Sequence, residues 1–114
     1  MIVRTWRGAT RTADADRYVE YIDGTGLRAY SETPGNLGSL ILRRSAEGDG
    51  EPVTEFLVVS FWESEDAVKR FAGANPSVAV FYPEDDAFLV RRDVSVDHYD
   101  VAARRPGRDG APAF

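Results

Sequence analysis

The chain has 114 residues, with 14 Lys and Arg against 19 Asp and Glu, a formal charge of −5, one His and no Cys. That length fits one domain with one core. The cysteine and histidine counts exclude a structural zinc site, an iron–sulfur cluster, a disulfide framework and a Cys nucleophile, and the acidic balance argues against nucleic acid, which needs a basic surface. The charge is uneven: Arg104, Arg105 and Arg108 against Asp109 give residues 102–114 a net +2 and leave −7 on residues 1–101. We expect a domain over 1–101 followed by a flexible basic tail over 102–114. With no run of eighteen apolar residues and no signal peptide pattern, no membrane association and a cytoplasmic location are expected.

Residues 2–8 are β-branched and aromatic and end at Gly8, a first strand. Thr12 is placed to cap a helix with Asp14 and Asp16 in its first turn, and Ala15, Tyr18, Val19 and Ile22 share one helical face. Gly24-Thr25-Gly26 is expected to interrupt that helix, with residues 27–30 resuming it before the Pro34-Gly35-Asn36 turn; it is too short for a phosphate loop. Residues 37–44 read as a second strand, 46–50 as a hairpin loop and 52–61 as a third strand. Ser64 is an N-cap for a second helix with apolar face Ala67, Val68, Phe71 and Ala72, closed by Gly73. Asn75-Pro76 predicts a further short helix stopped by Pro83, and residues 88–101 a long fourth strand. The order is that of the α+β ferredoxin-like βαββαβ unit, an antiparallel sheet with helices on one face.

The third strand carries apolar residues on both faces. Phe56, Val58 and Trp62 lie on one side and Leu57, Val59 and Phe61 on the other. A sheet with one solvated face alternates more cleanly, so a second copy of the same sheet is expected to cover the open side, giving a homodimer packed through its sheet faces. Ordinary surface hydrophobes on a central strand are the alternative.

Four segments carry a resemblance: Phe61-Trp62-Glu63-Ser64-Glu65-Asp66-Ala67, Phe71-Ala72-Gly73, Phe81-Tyr82-Pro83-Glu84-Asp85-Asp86 and His98-Tyr99-Asp100-Val101. Together they make residues 1–101 resemble the antibiotic biosynthesis monooxygenase superfamily, which implies a dimeric α+β barrel. In its quinone-forming branch, which oxidises aromatic polyketide substrates without a cofactor, the resemblance assigns Trp62 to the pocket; Val58 stands where the branch has Asn. In its heme-degrading branch Trp62 matches again, whereas Ala72 stands near the position of the helical His ligand, and the first strand offers Arg4 and Trp6 where that branch has Asn.

The resemblance implies a cofactor-independent monooxygenase acting on an electron-rich aromatic small molecule. A non-catalytic ligand-binding or stress-related module of the same fold, and a heme-binding or heme-degrading protein, are the alternatives. The candidate catalytic residues are His98, Tyr82 and Arg4. His98 is the only side chain whose ordinary pKa allows proton transfer near neutrality; on a strand it is equally a structural histidine. Tyr82 could polarise a carbonyl, or simply pack at a helix end. Arg4 lies between Ile2 and Trp6 on one strand face and needs an anion, either a substrate phenolate or carboxylate or one of Asp85, Asp86 and Asp93. Trp62, Trp6, Phe81 and Phe71 are the candidate ring-binding residues, each with plain core packing as the other reading. No cofactor or metal is expected, since the consecutive carboxylates Glu84, Asp85 and Asp86 lack the spread of a cation loop and read as a solvated cap.

Overall fold

The computed structural model describes residues 1–47 and 50–110. Strand β1 (Ile2–Arg11) lies antiparallel to β3 (Pro52–Trp62) along its whole length, from Ile2 opposite Trp62 to Arg11 opposite Val53. The other edge of β3 takes β2 (Asn36–Glu47), and the other edge of β1 takes β4 (Leu89–Arg92) and β5 (Asp97–Asp100). The order β2-β3-β1-β4, antiparallel throughout, is the ferredoxin-like arrangement with β1 and β3 central. The middle of the expected hairpin loop, Gly48-Asp49, and tail residues 111–114 lie outside the described residues; residues 102–110 form no helix or strand.

The helices lie on the face made by the even-numbered residues of β1 and β3. A single 3₁₀ turn, Thr12–Asp14, precedes α1 (Ala15–Ile22). Thr12 makes no cap, because its hydroxyl meets that of Thr54 at 3.1 Å. Gly24-Thr25-Gly26 does not interrupt the helix: the chain widens into one π turn, Asp23–Leu27, and continues as α2 (Arg28–Ser31). The Thr25 hydroxyl ties this turn to the Tyr21 carbonyl at 2.7 Å. Helix α3 (Glu65–Ala72) forms as its sequence dictates. Ser64 Oγ accepts from the Ala67 N–H at 3.2 Å, and Gly73 ends the helix at φ +86°. Gly35 is required where the chain enters β2. Its φ is +91°, and a Cβ there would lie 2.5 Å from that of Ala67. Trp62, Tyr18, Phe56 and Val68 are the largest fully buried apolar side chains, joining β3, α1 and α3 in one core.

Two further expectations need correction. The long fourth strand is split into β4 and β5, because residues 93–96 leave the sheet. At the break the Trp6 indole N–H donates to the Asp93 carbonyl at 2.7 Å and the Asp93 N–H to the Arg7 carbonyl at 3.0 Å. Residues 94–96 then bond to the segment expected to be a short helix: Ala79 N–H donates to the Val94 carbonyl at 3.0 Å, and Val96 N–H to the Ser77 carbonyl at 2.9 Å. With those backbone groups paired to residues 94–96, residues 75–82 keep only a single turn, Val78 N–H to the Asn75 carbonyl at 3.4 Å, and form no helix. The short helix forms later, as α4 (Asp85–Phe88).

The opposite face of the sheet is an apolar band. Leu42 faces Leu57, Leu40 faces Val59, and Phe61 faces Val3, which faces Tyr99. Leu42 is 45% exposed and Tyr99 57%. Among the described residues, no helix is long and apolar enough to cross a membrane.

Candidate functional site

Period-two alternation of β1 points Ile2, Arg4, Trp6 and Gly8 toward the helices. Arg4 is 3% exposed. Its Nη1 donates to the Pro76 carbonyl at 2.5 Å and lies 3.1 Å from His98 Nε2, and its Nη2 donates to the Val78 carbonyl at 3.3 Å. Its Cζ lies 5.8 Å from the centre of the Phe71 ring. Among the described residues no carboxylate pairs with it. None of the three acidic partners expected from the sequence forms an ion pair with it: Asp86 pairs with Arg92, and Asp85 accepts from the Tyr82 N–H and the Tyr18 hydroxyl. Burial lowers the pKa of the Arg4 guanidinium from its ordinary value, partly offset by Tyr30.

A guanidinium has only donors, so His98 Nε2 must accept and the imidazole is neutral with its proton on Nδ1. Burial first, and Arg4 second, depress the His98 pKa below its ordinary value. The lone pair a base would use is thus already engaged.

Asp85 opens α4 and is 5% exposed. Its Oδ2 accepts from the Tyr82 N–H at 2.6 Å and its Oδ1 from the Tyr18 hydroxyl at 3.4 Å. Burial holds this carboxyl above the ordinary carboxylate range despite both donors. The Tyr18 hydroxyl is raised strongly by burial and then by Asp85, and burial raises Tyr30 and Tyr82 as well.

These groups meet. A cavity of about 40 Å³ between β1, the π turn and residues 79–82 is lined by Arg4, Trp6, Tyr30, Tyr82 and Asp85, with Gly26 on its wall. Of the sequence candidates, Arg4, Trp6 and Tyr82 line this space, and His98, Trp62, Phe81 and Phe71 do not. Trp62 is wholly buried, with its N–H on Ser60 Oγ at 2.9 Å and its ring against Tyr30 and Phe71. Phe71 completes that cluster, 4.7 Å from the Tyr30 ring. Phe81 lies outside, edge-on to Trp6 at 6.2 Å and beneath the Arg92 guanidinium. His98 borders a separate groove of about 280 Å³ with Glu65 and Asp100. An open depression of about 270 Å³ among Arg7, Leu42, Arg44 and Glu55 holds no buried polar group and lies away from these residues. Among the described residues no three His, Asp or Glu gather to hold a metal ion.

Sequence reasoning missed Asp85, Tyr30 and Tyr18 as members of the site. Tyr18 belongs to the apolar face of α1, but the partner of its hydroxyl is distant in sequence. Nothing in Glu84-Asp85-Asp86 says which carboxylate turns inward. Only the Tyr82-Pro83 turn, whose N–H needs an acceptor three residues on, hints at Asp85.

No protein-family model matches the chain, and no curated protein matches it in sequence. Solved structures do. A Bacillus cereus protein provisionally named an antibiotic biosynthesis monooxygenase superposes with a TM-score of 0.64 at 18% identity, covering 93% of this chain and 97% of its own. The chain shares the fold of that protein. A variant of MhuD with two manganese protoporphyrin IX molecules bound per active site superposes with a TM-score of 0.57 at 23% identity, covering 94% of this chain and 100% of its own. The heme-degrader MhuD from Mycobacterium tuberculosis, with two hemes in its active site, matches at 0.52 and 23%, covering 90% and 97%.

Proposed function

We propose that the protein is a cofactor-independent monooxygenase that oxidises an electron-rich, hydroxylated aromatic ring to a quinone. The observation that carries this reading is Arg4, a buried cation whose partners are neutral, facing a cavity walled by Trp6, Tyr30 and Tyr82. A buried charge without a counter-ion is costly, and a substrate anion supplies one. In this scheme the ring gives up a proton, and its enolate settles against Arg4 and transfers an electron to O₂. The radical pair combines to a peroxide. Loss of water then breaks the O–O bond and the remaining C–H bond, leaving a carbonyl. One oxygen atom enters the product and the other leaves as water, so no external reductant is required.

The cavity is smaller than the roughly 300 Å³ at which ligand pockets begin, so ring binding requires residues 79–82 to move outward. Trp6 and Tyr82 then border the ring, while Trp62 and Phe71 support Arg4 and Tyr30 from below. His98 fixes Arg4, and the open sheet face is covered by a second copy of the chain. Uptake of O₂ by the protein with 1,8-dihydroxyanthrone, in chelator and without added flavin or heme, is expected to yield the anthraquinone. Uptake no faster than the spontaneous reaction overturns the reading.

The small cavity and the filled space around Trp62 favour a second reading, a binding module, which would bind the anthrone without consuming oxygen. Heme fits poorly. The only imidazole has its Nε2 against a guanidinium, so a metal bound there would face Arg4, and the nearby groove presents Glu65 and Asp100, which repel propionates. We derive no step through heme.

A further inference from the structure

Arg4 and Asp85 are both buried, both lack an ion-pair partner among the described residues, and both line one cavity. We infer that Asp85 is the proton acceptor of this site, taking a proton from a hydroxylated aromatic ligand whose negative charge passes to Arg4 in the same cavity. The inference rests on the monooxygenase reading for the steps after proton removal, though not for the proton transfer itself.

Charge bookkeeping favours this direction. Before transfer the cavity holds a carboxylate and a guanidinium that are not in contact. Afterwards it holds a neutral carboxylic acid and an enolate beside the guanidinium, so the separated charges become a contact pair. Oδ2 is committed to the Tyr82 N–H at 2.6 Å, whereas Oδ1 has only the long 3.4 Å contact from Tyr18 and is the oxygen available to the proton. A carboxyl raised toward neutrality is better matched to the task than an exposed one, and Asp85 is raised by burial. His98 is unsuited, with its lone pair on Arg4. The proton returns to the peroxide oxygen formed when O₂ adds, which regenerates the carboxylate before water leaves. The charged and titratable groups facing Asp85 are Tyr18 from α1, Tyr82, and Arg92 and Asp86 nearby.

Asp85→Asn tests the inference, because the amide oxygen still accepts from the Tyr82 N–H and the turn is kept. Under argon, wild-type protein mixed with 1,8-dihydroxyanthrone is expected to develop the visible band of the anthrolate, and Asp85→Asn none. In air, O₂ uptake is expected to fall at least about 100-fold, the usual minimum for a lost general base. Asp16→Asn, whose side chain is exposed, pairs with Arg43 and does not line the cavity, is expected to leave both readings unchanged. Tyr18→Phe, which removes one donor from the carboxylate, is expected to move the acidic limb of the pH–rate profile upward, which a purely structural role would not do. Anthrolate formation by Asp85→Asn equal to wild type, or an unmoved limb in Tyr18→Phe, overturns the assignment. Anthrolate formed by wild type without O₂ uptake overturns the monooxygenase reading alone. Neither signal from wild type overturns both.

Discussion

Arg4 on β1 and His98 on β5 stand opposite one another in the sheet, with Nη1 3.1 Å from Nε2. The contact fixes the imidazole as a neutral acceptor and makes it part of the scaffold that aims the guanidinium. Arg4 also reaches the carbonyls of Pro76 and Val78, so one side chain joins the sheet edge to the segment leading to the cavity's outer wall.

Protonating His98 would place two cations in contact, so its pKa is depressed in the fold, by burial and then by Arg4. Between the depressed value and the ordinary 6.5 the unfolded chain binds the extra proton, so stability rises with pH through this window and is lost as pH falls through it. The raised Asp85 carboxyl acts with the opposite sign at lower pH. Urea midpoints of wild type minus those of His98→Gln, whose amide oxygen can still accept from Arg4, isolate the histidine. The difference is expected to grow against wild type below pH 6.5; a flat difference curve would refute the contact.

Gly8 lies beneath the Trp6 indole, and a Cβ there would come within 2.4 Å of the ring. Gly8→Ala must therefore displace Trp6 and break its bond to the Asp93 carbonyl. The expected cost is about 1–3 kcal/mol, as for other overpacked sites, together with an altered tryptophan emission. Thermal unfolding monitored by fluorescence checks both.

Ser60→Ala leaves the buried Trp62 N–H without its acceptor. A loss of about 1–3 kcal/mol is expected in denaturant unfolding. Ser60→Thr, which keeps the hydroxyl, is expected to lose less.

Leu40 and Leu42 project from the open face beside Val59 and Leu57. The double variant Leu40→Glu/Leu42→Glu is expected to be monomeric by light scattering at micromolar concentration, where the wild type is dimeric. A monomeric wild type would remove the proposed interface.

The ferredoxin-like order was legible in the chain because its signals are local: the β-branched and aromatic run of β1, the apolar run of β3, the Ser64 cap, and Gly35 and Gly73 at turn and helix end. The site was only half legible. Alternation along β1 sufficed to turn Arg4 and Trp6 inward together. Trp62 looked equally like pocket or core, and packing under α2 and α3 decided for core.

By itself, then, the sequence determined the order of elements, the two apolar faces of β3 and the unusual inward arginine. Tertiary structure decided where the fourth strand breaks, that His98 serves Arg4, and that Asp85, of three adjacent carboxylates, is the buried one. The physical reason is range. Periodicity and capping act over three or four residues, whereas the partners of Trp6, Arg4 and Tyr18 lie 67 to 94 positions away, and no local pattern encodes which groups meet across that separation.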